Sequence, residues 1–199
     1  FSKYAAKKWH WQVDAHQVKL ATDVGVAAVE IFRAIVKPGD KIMVNSPVYT
    51  NFWTWIPEIG GQVLDVPLDR ARGWRLDVDA IDKAFASGVK VLLLCNPQNP
   101  VGTVHTREEL SAIAASARKH GAIVVSDEIH APLTYSDTEF VPFLACGEDA
   151  EKVGELDEGI SLDRLGLSQV PIYIMHRDNP QVPVGEFVDA LNALKRAGK

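Results

Sequence analysis

The chain has 199 residues, 47% of them hydrophobic, and a formal net charge of −5. That length suits one domain or a little more, with enough apolar residues for a sizeable core. The mild acidic excess offers no basic face to nucleic acid, and no apolar run approaches the roughly 20 residues of a membrane span.

Phe1 stands where an initiator Met would, so the natural N-terminus is expected upstream. Helical and extended patterns then alternate, which predicts a layered α/β domain with a mostly parallel sheet. Residues 24–36, VGVAAVEIFRAIV, carry apolar residues at near-helical spacing, and Pro38-Gly39-Asp40 closes that helix with turn chemistry. A short strand is expected over 41–45, then a helix over 49–60 disturbed at Pro57. Residues 62–68 read as a strand and 78–87 as a helix, and the unbroken apolar run at 89–95 reads as a buried strand. Thr106 and Glu109 have capping-box spacing, so an amphipathic helix should start there and end at Gly121. Residues 122–126 form the next buried strand.

The composition changes after about residue 153. Residues 154–169 read as a polar connector, and residues 170–199 as a tail with a strand at 170–175 and an amphipathic helix at 184–198. Cys95 ends a buried strand and reads as a small core thiol; neither it nor Cys146 has metal-ligand spacing. No metal site is expected, and a reducing cytoplasm fits.

Two strands stop abruptly on polar residues. VLLLCNPQNPVG (91–102) places Asn96 and Asn99 after the first, and GAIVVSDEIH (121–130) places Asp127, Glu128 and His130 after the second. Ligands of α/β sheets sit at the carboxyl ends of parallel strands. An amide and a carboxylate over one crevice suit a flat heteroaromatic ring, with a hydroxyl for the amide and a basic nitrogen for the acid.

With NSPVYTNFW at 45–53, LLLCNPQNPVGTVHTREEL at 92–110 and VVSDEIHAPL at 124–133, the chain resembles the fold-type I pyridoxal-phosphate enzymes. These are the class I/II aminotransferase superfamily, and the resemblance is to its cystathionine β-lyase-like branch over about residues 2–153. It implies a three-layer α/β/α architecture, with 1–153 as part of the family's large domain. It implies pyridoxal 5′-phosphate as cofactor, an amino-acid substrate, a homodimer, and either β-elimination of a thiol or transamination. Asp127 would face the pyridine nitrogen, or else cap the turn that follows. Asn99 would donate to the cofactor's 3′ oxygen, and it also suits the turn chemistry of its loop. Tyr49 would stack on the ring, or serve as a core aromatic. His130 would reach the same oxygen as Asn99, or be structural. Trp53 and Trp55 read as packing residues or a substrate wall. Gly25, Val26 and Ala27 align with the phosphate turn and would offer backbone amides at a helix start, although Asp23 beside them suits an anion poorly.

The family's anchoring lysine lies in a Ser-x-Ser-Lys-like segment, and none occurs among these residues. Lys152, Lys195 and Lys199 are the lysines after Asp127, none of them in that context. The tail's VPIYIM and VGEFVDALNAL weakly resemble the end of a LysR-type regulator's effector domain. A non-catalytic chain with a regulator-like tail is therefore the expectation to set against the enzyme.

Overall fold

The computed structural model describes residues 1–153 and 172–174. Its centre is set by strand β4 (Val91–Cys95), whose five apolar residues are all buried. Successive side chains of a strand face opposite sides, so a strand apolar at every position needs a cover on both. Leu92 and Leu94 pack with Ile81 and Phe85 of helix α4 (Val78–Ala86) and Leu110, Ile113 and Ala117 of α5 (Arg107–His120). Val91, Leu93 and Cys95 pack with Phe32 of α2 (Val24–Ile35) and with Phe52 and Ile56 of α3 (Phe52–Glu58). The result is the three-layer α/β/α arrangement the sequence implies.

The main sheet has the order β3-β2-β4-β5, with every pairing parallel. Its other strands are β2 (Lys41–Val44), β3 (Gln62–Asp65) and β5 (Ile123–Asp127). From β2 the chain steps outward to β3 by way of α3, then returns across β2 to β4 by way of α4. The direction of winding therefore reverses between β2 and β4, and their exit loops diverge. Such a switch point is where open α/β sheets form their ligand crevice. The β2–β4 ladder pairs only Ile42 with Val91 and Met43 with Leu92, whereas β4–β5 runs through to Cys95 opposite Asp127.

Local chemistry sets the helix ends. Thr106 Oγ1 accepts from the Glu109 N–H while Glu109 accepts from the Thr106 N–H, and Gly121 closes α5 with φ 60°. Both ends of α5 match the capping signals in the sequence. Glu108 and Glu109 in its first turn and Arg118, Lys119 and His120 in its last complement the helix dipole. α3 is shorter than expected: 49–51 form a turn, and the helix ends one residue after Pro57, whose ring cannot donate to the preceding turn. β3 stops at Asp65, before Pro67.

Helix α1 (Ser2–Trp9), strand β1 (Lys19–Ala21) and helix α6 (Glu148–Val153) have no counterpart in the sequence reading. Trp9 sits edge-on to Phe140, with ring centroids 5.2 Å apart, and so ties α1 to the segment after β5. Helix α6 (Glu148–Val153) packs against α5. In the tail, β6 (Ile172–Ile174) falls within the expected strand at 170–175 and pairs in parallel with β1. The connector at 154–169 and the helix expected at 184–198 lie outside the described residues. Among the described residues no helix is long and apolar enough to cross a membrane.

Candidate functional site

Three loops leave the carboxyl ends of adjacent strands β2, β4 and β5, and each carries sequence-expected site residues. Asp127 is the last residue of β5 and lies in register with Cys95. The Asn96 N–H donates to the Asp127 carbonyl at 3.0 Å, so pairing extends one step into the β4 exit loop. Asp127 Oδ1 also accepts the Ile129 N–H at 3.2 Å. The carboxylate thus shapes the turn that follows while sitting at the strand's end.

Asn99 is held by its main chain, whose N–H donates to Cys95 Sγ at 3.4 Å. Its side-chain amide makes no hydrogen bond among the described residues. Burial, reinforced by the Asp127 charge, pushes the Cys95 thiol up to about 12 against the Asn99 N–H bond, so the sulfur stays a neutral acceptor. His130 opens the 3₁₀ turn Ala131–Leu133, and its carbonyl accepts the Leu133 N–H at 2.9 Å.

Tyr49, 37% exposed, sits on the β2 exit turn. Its hydroxyl accepts from Asn51 Nδ2 at 2.9 Å. Phe52 and Trp55 meet its ring edge-on at 6.2 and 5.8 Å, which fixes the plane of the ring. Trp55 joins this turn to α2: a Cβ built on Gly25 would lie 3.0 Å from the indole nitrogen. Gly25 is small because an indole lies against it.

Two of the three amides expected for the phosphate, those of Val26 and Ala27, are otherwise engaged. Asp23 is the N-cap of α2, and its Oδ1 accepts the Val26 N–H at 2.9 Å. The Ala27 N–H makes the first helical bond, to the Asp23 carbonyl at 3.1 Å. The acidic residue that looked ill-suited to an anion is itself the anion at this helix start.

The structure also shows a buried polar group with no role in the sequence reading. Gln98, inside NPQNP, donates through Nε2 to the carbonyls of Asn45 at 2.9 Å and Pro47 at 2.8 Å. His105 Nε2 lies 3.4 Å from Gln98 Oε1, and the His105 N–H donates to Asn96 Oδ1 at 3.1 Å. Burial holds the His105 imidazole down to about 4; Glu109 opposes that shift and Arg75 adds to it. Glu109 in turn takes a two-pronged bond from Arg75, at 2.9 and 2.6 Å. Glu128 Oε1 accepts from Ser126 Oγ at 3.0 Å and from the Phe143 N–H at 2.7 Å. Burial, with Asp127 adjoining, still raises its carboxyl to about 7 against those two bonds. Polar letters inside an apolar context were the available signal, but burial is a property of the fold.

The class I and II aminotransferase family profile matches residues 1–162. The chain belongs to that family. Relatives within it include a Mycobacterium tuberculosis protein with the provisional name cystathionine beta-lyase, 41% identical over 72% of this chain and 37% of its own length. An aspartate aminotransferase of Streptomyces avermitilis is 40% identical over 65% of this chain and 32% of its own. Among solved structures, Treponema denticola cystalysin, which contains a pyridoxal 5′-phosphate cofactor, is 25% identical with a TM-score of 0.68, over 77% of this chain and 39% of that one. The chain thus spans between about a third and two fifths of the length of these relatives. The tail's likeness to a regulator domain finds no support in these relatives, and the tail's described strand joins the family-matched part through β1.

Proposed function

We propose that this chain is part of a pyridoxal 5′-phosphate-dependent carbon–sulfur β-lyase acting on cystathionine-like or cysteine-S-conjugate amino acids. One observation carries the reading: Tyr49, Asn99 and Asp127 leave three adjacent strands at the sheet's switch point, in a chain of this family. When bound, the cofactor supplies an electron sink for charge developed at an amino acid's Cα.

The donor set suits the ring end. Asp127 would hold a proton on the ring nitrogen; opposite charges about 4 Å apart attract by about 4 kcal/mol at an effective dielectric near 20. Asn99 would donate to the ring's oxygen with His130 nearby, and Tyr49 would cover the ring's face. At the phosphate end the fit is incomplete. Gly25 and Val26 are suited to it once the Asp23 carboxylate leaves the Val26 N–H, while Ala27 keeps its amide in the helix. The covalent anchor is not among the residues that match the family's pattern here, so this chain's own share is binding and orientation. A homodimer in the cytoplasm and a large-domain unit at 1–153, followed by a connector and tail, complete the proposal. The outer edges of β3 and β5, unpaired among the described residues, are where further strands or chains would add.

An aminotransferase is the second reading, favoured by the similarity to the Streptomyces enzyme. Product analysis separates the two: pyruvate plus a thiol, or a keto acid whose formation depends on an amino acceptor. The first test needs no turnover. Pyridoxal 5′-phosphate is titrated into the chain and into Asp127→Ala, following tryptophan fluorescence and the cofactor's visible absorbance. Saturable binding that Asp127→Ala weakens at least tenfold supports the reading. Absent binding, or equal binding by both proteins, rejects it. Borohydride reduction and peptide mapping then show whether one lysine, or none, has reacted.

A further inference from the structure

We infer that Gln98 is a positioning residue of this site, its side-chain amide fastening the turn that carries Tyr49 to the loop that carries Asn99 across the sheet's switch point. The role rests on the functional reading above for what is positioned, but the fastening is visible in the fold itself.

Ladder pairing between β2 and β4 ends at Met43 opposite Leu92. Beyond that point the two strands exit toward opposite sides, and backbone pairing no longer sets the distance between them. On its β3 side the exit turn of β2 is well held. The Val66 N–H donates to the Val44 carbonyl and the Leu68 N–H to the Ser46 carbonyl, and Asp65 accepts from both Ser46 N–H and Oγ. On its β4 side the Gln98 amide replaces the missing ladder, reaching the carbonyls of Asn45 and Pro47 with its two N–H groups.

The amide's orientation is not arbitrary. Two carbonyl oxygens can accept only from an NH₂ group, so Oε1 must point the other way, toward His105 Nε2. That nitrogen must then carry the ring's hydrogen. The imidazole is fully buried, and the His105 backbone N–H is tied to the same loop through Asn96 Oδ1. Gln98 is 1% exposed and its bond to the Asn45 carbonyl is buried, so water cannot take over there and the lost donor leaves that carbonyl unsatisfied. Tyr49 lies two residues beyond Pro47, and Asn99 directly follows Gln98. A shift at Gln98 would therefore move the ring-covering and oxygen-binding groups relative to each other while leaving the core intact.

The test uses the full 199-residue chain, with Gln98→Met as the variant of similar shape that has no donors. Phe85→Leu, in the core on the opposite face of the sheet, serves as a stability-loss control. Hydrogen exchange of residues 46–52 is read first. In Gln98→Met these amides should exchange about tenfold faster or more, with α4 and α5 unchanged; Phe85→Leu should not single them out. Pyridoxal 5′-phosphate is then titrated by fluorescence and visible circular dichroism. Gln98→Met should bind about tenfold more weakly and with a smaller dichroic signal per bound cofactor, whereas Phe85→Leu keeps the wild-type signal. Unchanged exchange at 46–52, or a wild-type dichroic signal in Gln98→Met, overturns the inference. If the wild type binds no cofactor, the functional reading fails and the exchange result alone decides the fastening. Gln98→Glu gives a second handle should Gln98→Met not fold. Its acid form donates one bond and its ionised form none, so exchange at 46–52 relative to wild type should rise between pH 5 and 8. A flat ratio over that range counts against the role.

Discussion

Glu128→Gln should unmask a pH dependence of stability that the wild type conceals. His105 is held at about 4 in the fold against an ordinary 6.5. Its neutral form is favoured on folding, so its contribution is complete above 6.5 and is lost as pH falls toward 4. Glu128 is held at about 7 against an ordinary 4.5. Its protonated form is favoured, so its contribution is complete below 4.5 and is lost as pH rises through 7. Linkage converts these shifts into about 2 kcal/mol lost at His105 and about 2 kcal/mol regained at Glu128 when pH drops from about 7.5 to about 5. The two offset each other in the wild type. Asp82, lowered to about 2 by bonds from Ser116 and His120, titrates below this window. Glu128→Gln keeps an oxygen for Ser126 and Phe143 but cannot titrate. Urea unfolding followed by tryptophan fluorescence at stepped pH gives the free energies. The variant should lose about 2 kcal/mol over that range while the wild type stays nearly level. Parallel curves would refute the titration of Glu128 in this window, and a level variant would refute the buried neutral state of His105.

Asp23→Asn should leave α2 within about 0.5 kcal/mol of wild type, because Asn caps as well as Asp. With the charge gone, pyridoxal 5′-phosphate should bind more tightly in a fluorescence titration; unchanged or weaker binding would place the phosphate elsewhere. Gly25→Ala should push on the Trp55 indole, costing about 1 to 3 kcal/mol and shifting the tryptophan emission. An unaltered spectrum and stability would mean that α2 and α3 do not meet at this contact. Leu94→Ala, at a fully buried position, should cost about 2 to 5 kcal/mol in urea unfolding, and a loss under 1 kcal/mol would contradict β4 as the central strand.

The alternation of helix and strand, the buried run at β4, the strand at β5 (though only Val124 of its five residues is buried) and both ends of α5 were legible because each is a local matter. Periodicity, capping spacing and turn residues act within a few positions of one another. The polar residues closing two apolar runs pointed to Asp127 and Asn99 for the same reason, since a strand's end is visible in one dimension. Residues 49–51 were harder: aromatic and polar letters there suit a helix, but a strand exit at a crowded switch point made a turn.

Tertiary structure decided what pairing and burial decide. Whether β2 or β3 lies beside β4 is set by which face each connecting helix covers, so the switch point was not readable from spacing. β1 is three residues long and pairs with residues more than 150 positions away, a contact with no local signature. The two carbonyls that give Gln98 its place lie 51 and 53 residues from it. Asp23 could be read as an acid beside a possible anion site, but its carboxylate became a cap only when the helix formed and left an amide in front of it. Local chemistry chose the elements; long-range packing decided which of their polar ends meet.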